Sequence, residues 1–179
     1  GQSGSALFEV GISAVSDSVI AQLKSMEIQP DYLITSHPHS DHITGLPGLA
    51  DAFPEAEVIA ASGARDFLEH PKAGPMLIKE DRFMSESLKR FDIIPGRPPL
   101  AEIPDLSGAR LIEQTTRLDL GGISLELIKV DGHSPGNLMG RITPGDVVLC
   151  SDSLGFHFPG RQFLPLFFTG AQSYLDTLE

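Results

Sequence analysis

The chain has 179 residues, 41% of them apolar and 21% charged, which is enough for one domain with a sizeable core. Its formal net charge of −11 argues against nucleic-acid binding, because nucleic-acid-binding proteins normally present a basic face. No apolar run approaches the roughly 18 residues that a membrane span requires. The single Cys150 cannot form an internal disulfide, which favours a cytoplasmic location.

The first 70 residues predict alternating strands and helices. Apolar residues recur at the helical period of 3.6 at Val15, Val19, Leu23 and Met26. The expected strands span 6–10, 32–35 and 57–61, and the expected helices span 13–26, 45–54 and 62–70. This alternation is typical of an α/β layer.

The segment 71–108 interrupts this alternation. It holds six prolines around one helical stretch in which Met84, Leu88 and Phe91 share a face. Because the segment is too short to build its own core, we expect an insertion or lid within a single domain, 1–179.

The remainder of the chain is predicted to be mainly β-structure. The pattern indicates strands over 110–118, 123–130, 138–142 and 147–150. A final helix is expected after Gly170, with Tyr174, Leu175 and Leu178 on its apolar face.

Three histidines and an aspartate follow the apolar strand 32–35 directly: His37, His39, Asp41 and His42. His37 and His39 alternate by two, so both side chains can point to one side of an extended loop. Imidazole is a good ligand for borderline metals, and a carboxylate adds charge and can bridge two ions. We therefore interpret this turn as a metal site and not as a solvated polar loop.

Two later turns carry further candidate ligands at the ends of predicted strands. His133 follows the strand 123–130, and Asp152 follows the apolar residues 147–149. Each alone has an ordinary alternative, a structural histidine or an Asx turn. Three such turns at strand ends predict one cluster, because open α/β layers place their sites there.

The order of these motifs resembles the metallo-β-lactamase-fold hydrolase superfamily. The motifs are His37-Pro38-His39-Ser40-Asp41-His42, then Gly132-His133-Ser134-Pro135-Gly136, then Ser151-Asp152-Ser153. The resemblance implies an α/β (α+β) fold, an αββα sandwich with metal ions at the edge between two sheets. It also implies that His37, His39 and His133 hold one metal, that Asp41 and His42 hold a second, and that Asp152 bridges them. We expect two divalent ions. Zinc is the metal that we expect, with iron or manganese as alternatives.

The chain departs from the family pattern at both ends. The family usually has more strands before its first histidine motif, and a last histidine ligand after a further helix. His157 is too close to Asp152 to be that ligand, and His70 precedes both later motifs. Residues 1–5 lack the features of a signal peptide and are interpreted as a cloning scar or an internal cut. We therefore expect a truncated sandwich whose final metal ligand lies outside the chain.

The expected ligands predict a hydrolytic mechanism. A metal ion lowers the pKa of bound water from about 15.7 to about 7, which makes hydroxide available at neutral pH. Such a hydroxide would attack an ester, thioester, lactam or related bond, with Asp41 as the catalytic residue that orients it or relays its proton. Cys150 would share a face with Asp152 on a regular strand. We interpret it as a small core residue in preference to a thiolate ligand.

Half of the ten phenylalanines follow Asp152: Phe156, Phe158, Phe163, Phe167 and Phe168. We predict that Phe156, His157, Phe158 and Arg161 contact a small-molecule substrate, with the rings as an apolar wall and 71–108 as the other side of the cleft. The alternative is that the rings pack the final helix or bury a homodimer contact.

Two other activities fit the same ligand set. One is a sulfur (persulfide) dioxygenase that uses a single iron. The other is a tRNA-processing nuclease, which the residues 41–49 resemble in part but the acidic composition disfavours. A non-catalytic member of the family is disfavoured, because every metal ligand that the family pattern places within this length of chain is present.

Overall fold

The computed structural model describes residues 1–160 and 162–179, and these residues form two four-stranded sheets and a short two-stranded one. The first sheet is parallel throughout, in the order β1-β2-β3-β4. Its strands are β1 (Ala6–Phe8), β2 (Tyr32–Ile34), β3 (Glu57–Ala61) and β4 (Arg110–Ile112). Parallel neighbours require crossover connections, and helices between successive strands supply them.

The second sheet is an antiparallel meander. Its strands are β5 (Thr116–Asp119), β6 (Ser124–Val130), β7 (Asn137–Thr143) and β8 (Val147–Leu149), in chain order. The two-stranded sheet pairs β9 (Phe156–His157) with β10 (Phe163–Leu164). Short turns connect these strands, as antiparallel pairing allows.

The described residues contain six α-helices. They are α1 (Ser16–Ser25), α2 (Ser40–Ile43), α3 (Leu46–Ala52), α4 (Ser62–Glu69), α5 (Ala73–Leu88) and α6 (Ala171–Leu178). Single 3-10 turns occur at Ser13–Val15, Lys89–Phe91 and Ser151–Leu154. In this part of the chain, no helix is both long and apolar enough to cross a membrane.

Two apolar cores lie on opposite faces of the parallel sheet. Leu33 packs with residues of the helices, including Leu49 and Leu68. Its neighbour Ile34 packs with residues of the other sheet, including Leu127. Successive residues of a strand point to opposite faces, so β2 contributes to both cores. This layering of helices and two sheets confirms the predicted α/β sandwich.

The structure corrects the prediction of one strand over 110–118. The chain instead forms β4, which pairs with β3, and then β5, which pairs with β6 in the other sheet. The residues 113–115 carry the chain across the sandwich. This run contains no glycine or proline, so no residue in it marks a break between two strands.

The helix within 71–108 is longer than the predicted helical stretch. It spans the 16 residues of α5, with Pro75 in its first turn and Phe91 beyond its end in a 3-10 turn. A proline is tolerated in the first turn of a helix because the backbone N–H groups there have no partner within the helix. The helix can therefore extend through a position that looks like a breaker.

Candidate metal centre

The six predicted ligands lie together at the ends of strands from both sheets. The first histidine turn follows β2, and the backbone N–H of Leu138 in β7 donates to the carbonyl of Ser36 at 2.7 Å. This hydrogen bond joins the turn to the antiparallel sheet. His133 follows β6, and Asp152 lies in the 3-10 turn that follows β8. The expectation that separate strand ends bring these residues to one place agrees with the geometry.

Three imidazole nitrogens converge on one point. The Nδ1 atom of His39 lies 3.1 Å from Nε2 of His37 and 3.1 Å from Nε2 of His133. Tetrahedral zinc with Zn–N bonds of about 2.0–2.1 Å separates neighbouring ligand nitrogens by about 3.3 Å. The three histidines therefore fit a metal ion with adjustments of a few tenths of an ångström.

The other three predicted ligands surround an adjacent point. The Nε2 atom of His42 lies 3.4 Å from Oδ2 of Asp41 and 3.6 Å from Oδ2 of Asp152. The same Asp152 oxygen lies 3.6 Å from Nε2 of His133. Asp152 thus contacts a residue of each group, which is the placement that a bridging carboxylate requires.

Glu9 belongs to this centre although sequence reasoning missed it. Its Oε2 atom lies 3.0 Å from Nδ1 of His42, and its carboxylate can form a second metal-binding group with His37 and His42. Its Oε1 atom is buried without a hydrogen-bond partner among the described residues. Glu9 adopts a positive φ of 80°, a costly conformation for a residue other than glycine.

A signal for Glu9 was present in the chain order. Glu9 follows β1 directly, and β1 pairs in parallel with β2, which leads into the histidine turn. Parallel neighbours end at the same edge of a sheet, so a carboxylate after β1 lies close to the histidines after β2. The sequence-based strand over 6–10 placed Glu9 inside the strand instead.

Burial keeps three of the histidines neutral. It lowers the pKa of His37 far below its ordinary value, with the neighbouring His42 and His39 adding to the effect. Burial, followed by the proximity of His133, lowers the pKa of His39 to about 4. Burial also lowers the pKa of His133. Neutral imidazole is the form that binds a metal, so these three residues are ready to do so at neutral pH.

His42 has the opposite tendency. Burial by itself would lower the pKa of His42, but hydrogen bonds to Asp152, Asp41 and Glu9 outweigh it and raise the pKa to about 11. The hydrogen bond to His42 in turn lowers the pKa of Asp41 and that of Asp152. Without a metal, the second group is therefore an imidazolium held by carboxylates.

Neighbouring oxygens orient the ligand rings. The Nδ1–H of His133 donates to the carbonyl of Leu166 at 3.2 Å, which leaves the lone pair of Nε2 facing His39. The Nδ1 atom of His37 lies 2.9 Å from the hydroxyl of Ser36, which in turn lies 3.0 Å from that of Ser151. Such contacts fix the tautomer and the direction of a ligand.

An open cleft of about 710 Å³ adjoins the centre, and His39, Asp41, His133 and Asp152 form part of its wall. One apolar side comes from α4 and α5 and includes Phe67, Leu77 and Met84. The other comes from the residues after Asp152 and consists of Phe156, Leu166 and Phe168. Segment 71–108 thus borders the cleft on the side opposite the phenylalanine-rich segment 156–168.

The predicted substrate residues differ in their placement. Phe156 lines the cleft, whereas His157 and Phe158 are exposed and are not part of its lining. Arg161 lies outside the residues that the structure describes. Phe168 lines the cleft, as expected for a ring of the apolar wall. Phe67 and Leu166 line it without having been predicted, since their contribution depends on how α4 and the segment after Asp152 fold over the centre.

Cys150 does not share a strand face with Asp152, because β8 ends at Leu149. Cys150 precedes the 3-10 turn and is partly exposed, so its assignment as a buried core residue is wrong. Neither candidate metal-binding group found among the described residues includes its thiol.

The fold is a sandwich of helices and two sheets with a candidate metal centre at the strand ends. The family model of the metallo-beta-lactamase superfamily matches residues 1–179, and the chain belongs to this superfamily.

Individual relatives match with lower identity. The metallo-beta-lactamase fold-containing protein ST1585 of Sulfurisphaera tokodaii is 28% identical over 134 residues, which cover 73% of this chain and 47% of the relative. A hydroxyacylglutathione hydrolase of Parasynechococcus marenigrum is 40% identical over 52 residues, covering 29% of this chain and 21% of the relative. The chain therefore spans less than half the length of either curated protein.

Solved structures support the fold. The crystal structure of ST1585 superimposes with a TM-score of 0.70 at 23% identity and covers 99% of this chain and 65% of that chain. TTHA1623, whose structure is of a di-iron-bound form, gives a TM-score of 0.60 at 20% identity and covers 97% of this chain and 73% of that one. At such identities the likeness concerns the fold alone.

Proposed function

We propose that the protein is a metal-dependent hydrolase that cleaves an ester, thioester, lactam or related bond. The observation that carries this proposal is the convergence of three neutral histidines, two carboxylates and a fourth histidine at the wall of an apolar cleft. Membership of the superfamily and the partial match to a hydroxyacylglutathione hydrolase support hydrolysis as the reaction class.

In this proposal, His37, His39 and His133 would hold one divalent ion, and Asp41 and His42 would hold a second, with Asp152 between them. The bound ions would lower the pKa of water from about 15.7 to about 7, supplying a hydroxide nucleophile at neutral pH, and act as Lewis acids. Zinc is the ion that we expect, because histidine nitrogens and carboxylate oxygens suit it.

Residues of the chain itself have the remaining roles in this proposal. Asp41 borders the cleft and can accept the proton of the attacking water or orient it. The Leu166 carbonyl and the Ser36 hydroxyl keep His133 and His37 directed at the centre. The apolar walls bind the body of the substrate and exclude water from the scissile bond.

The residues beside the centre favour hydrolysis over the two alternatives. A single-iron dioxygenase would use the first group alone, whereas the second adjacent group favours a site for two ions. The apolar lining of the cleft suits a small molecule better than an RNA backbone, which basic side chains normally bind. We retain the cytoplasmic location and a homodimer through the exposed phenylalanines as proposals from the sequence.

A panel of ester, thioester and lactam substrates tests the activity. Protein reconstituted with zinc should hydrolyse at least one of them, and treatment with a chelator should abolish the turnover. Replacement of Asp152 by Ala should remove activity while circular dichroism remains that of the folded protein. Full activity of D152A would contradict the assignment. In contrast, H157A should retain its metal, and loss of metal in that variant would make His157 a ligand.

A further inference from the structure

Helix α5 carries two adjacent acidic residues with different surroundings. Asp81 is fully buried, whereas Glu80 is partly exposed and lines the cleft. Neither is a candidate metal ligand among the described residues. Two carboxylates without a place in the metal centre therefore lie on a helix that forms one wall of the cleft.

Asp81 anchors the helix. Within the described residues it accepts hydrogen bonds from the N–H and the hydroxyl of Ser13 at 3.1 and 2.6 Å, from the hydroxyl of Thr44 at 2.7 Å, and from the N–H of Leu100 at 2.9 Å. Thr44 follows α2 directly, so Asp81 ties α5 to the helix that contains Asp41 and His42. The wall of the cleft is thereby fixed relative to the metal centre.

Glu80 is fixed as well. The hydroxyl of Ser40 donates to its Oε2 atom at 2.9 Å, and Ser40 lies between His39 and Asp41 in the chain. Glu80 and Ser40 both line the cleft. The Glu80 carboxylate thus lies next to the metal centre in a wall that is otherwise mainly apolar. The hydrogen bond from Ser40, a residue of the histidine turn, keeps it in this position.

The charge of Glu80 differs in kind from those of Asp41 and Asp152. Those two carboxylates contact the imidazole of His42 and would be offset further by bound cations. The hydrogen-bond donor of Glu80 among the described residues is the neutral hydroxyl of Ser40. The Ser40 hydroxyl carries no charge that would offset that of the carboxylate, and the apolar side chains of the wall strengthen the effect of such a charge.

We propose that Glu80 determines specificity by binding a hydrogen-bond donor of the substrate, an ammonium, hydroxyl or amide N–H group attached to an apolar body. A carboxylate only accepts hydrogen bonds, so a carboxylate of the substrate at the same place is repelled. This inference rests on the proposed hydrolase activity for its biological meaning, and it narrows the substrate class to apolar compounds with a neutral or cationic donor near the scissile bond.

Binding to the metal-free protein tests the inference without turnover. The probes are 3-phenylpropylamine and 3-phenylpropionate, which share an apolar body and differ in charge. Calorimetry gives the ratio of their dissociation constants for the wild type, E80Q and E86Q. Glu86 is the matched control, because it is an exposed acid of the same helix that does not line the cleft.

We expect the wild type to prefer the amine, and the preference to fall about 10-fold in E80Q, as loss of a charge in a low-dielectric wall implies. E86Q should keep the wild-type ratio. An unchanged ratio in E80Q, or an equal fall in E86Q, would overturn the inference. Glu80 is partly exposed, so E80Q should fold, and thermal melting verifies that it does.

A second readout separates this inference from the hydrolase proposal. For zinc-loaded protein, kcat/KM is compared between a neutral phenylpropionyl ester and one with an added carboxylate. E80Q should raise the relative rate of the anionic ester about 10-fold. If the wild type cleaves neither ester nor any other compound of the panel, the hydrolase proposal fails, while the binding ratio still decides the role of Glu80.

Discussion

Replacement of Asp81 by alanine should destabilise the protein strongly, because it removes the acceptor of four buried or partly buried hydrogen bonds. Each lost hydrogen bond costs about 1 kcal/mol, so the free energy of unfolding should fall by about 4 kcal/mol. For a chain of this length, about 3 °C per kcal/mol applies, and Tm should fall by about 12 °C. D81N keeps one acceptor and should lose about half as much.

Thermal and urea denaturation followed by circular dichroism measure this effect. The matched control is D66A, since Asp66 is exposed on α4 and its replacement should change the stability by less than about 0.5 kcal/mol. Asp81 connects α5 to Thr44, the residue after α2, and α2 contains the predicted ligands Asp41 and His42. D81A should therefore also bind metal more weakly. If D81A were as stable as D66A, the role of Asp81 as the anchor of the cleft wall would be wrong.

Two further predictions concern the second metal group. The raised pKa of His42, about 11, means that a metal must displace its proton, so affinity for the second ion should rise about tenfold per pH unit between pH 6 and 9. The lowered pKa of His39, about 4, means that the first ion should be held until the pH falls towards 4. Calorimetry in buffers of different ionisation enthalpy measures the number of protons released when the metal binds. If the metal affinities of both sites were independent of pH, these predictions would be refuted. Because Glu9 is one of three carboxylates on His42, E9Q should lower the pKa of His42 in the metal-free protein, as measured by NMR titration. E55Q, which alters an exposed acid, is the control, and an equal pKa in E9Q and E55Q would exclude a role for Glu9.

The sequence predicted the centre better than it predicted the surrounding walls. His37, His133 and Asp152 each follow a strand, and strand ends in such layers meet at one edge, so their proximity followed from local patterns and chain order. The strand 32–35 and the helix 62–70 agree with β2 and α4 to within one residue. A short apolar run marks the strand, whereas Ser62, expected as the helix cap, is the first helical residue and forms no capping hydrogen bond.

The remaining features depend on packing between distant segments. The division of 110–118 into β4 and β5 reflects the need to complete both sheets, and no residue in the run marks it. The role of Phe168 in the cleft depends on the hydrogen bonds that its backbone N–H donates to the carbonyls of Gly132 and His133. Glu9 was missed because its function comes from the neighbouring parallel strand and not from its own surroundings in the sequence.

We infer that two adjacent groups of side chains hold two metal ions. The most direct measurement is the metal content per chain, by mass spectrometry on protein purified without chelator and reloaded with zinc, for the wild type and H39A. We expect close to two zinc ions per wild-type chain and about one in H39A, because His39 Nδ1 contacts both other histidines of the first group and none of the residues that hold the second ion is changed. A folded wild type that holds a single iron and refuses zinc, or an H39A variant with the full two ions, would contradict this inference.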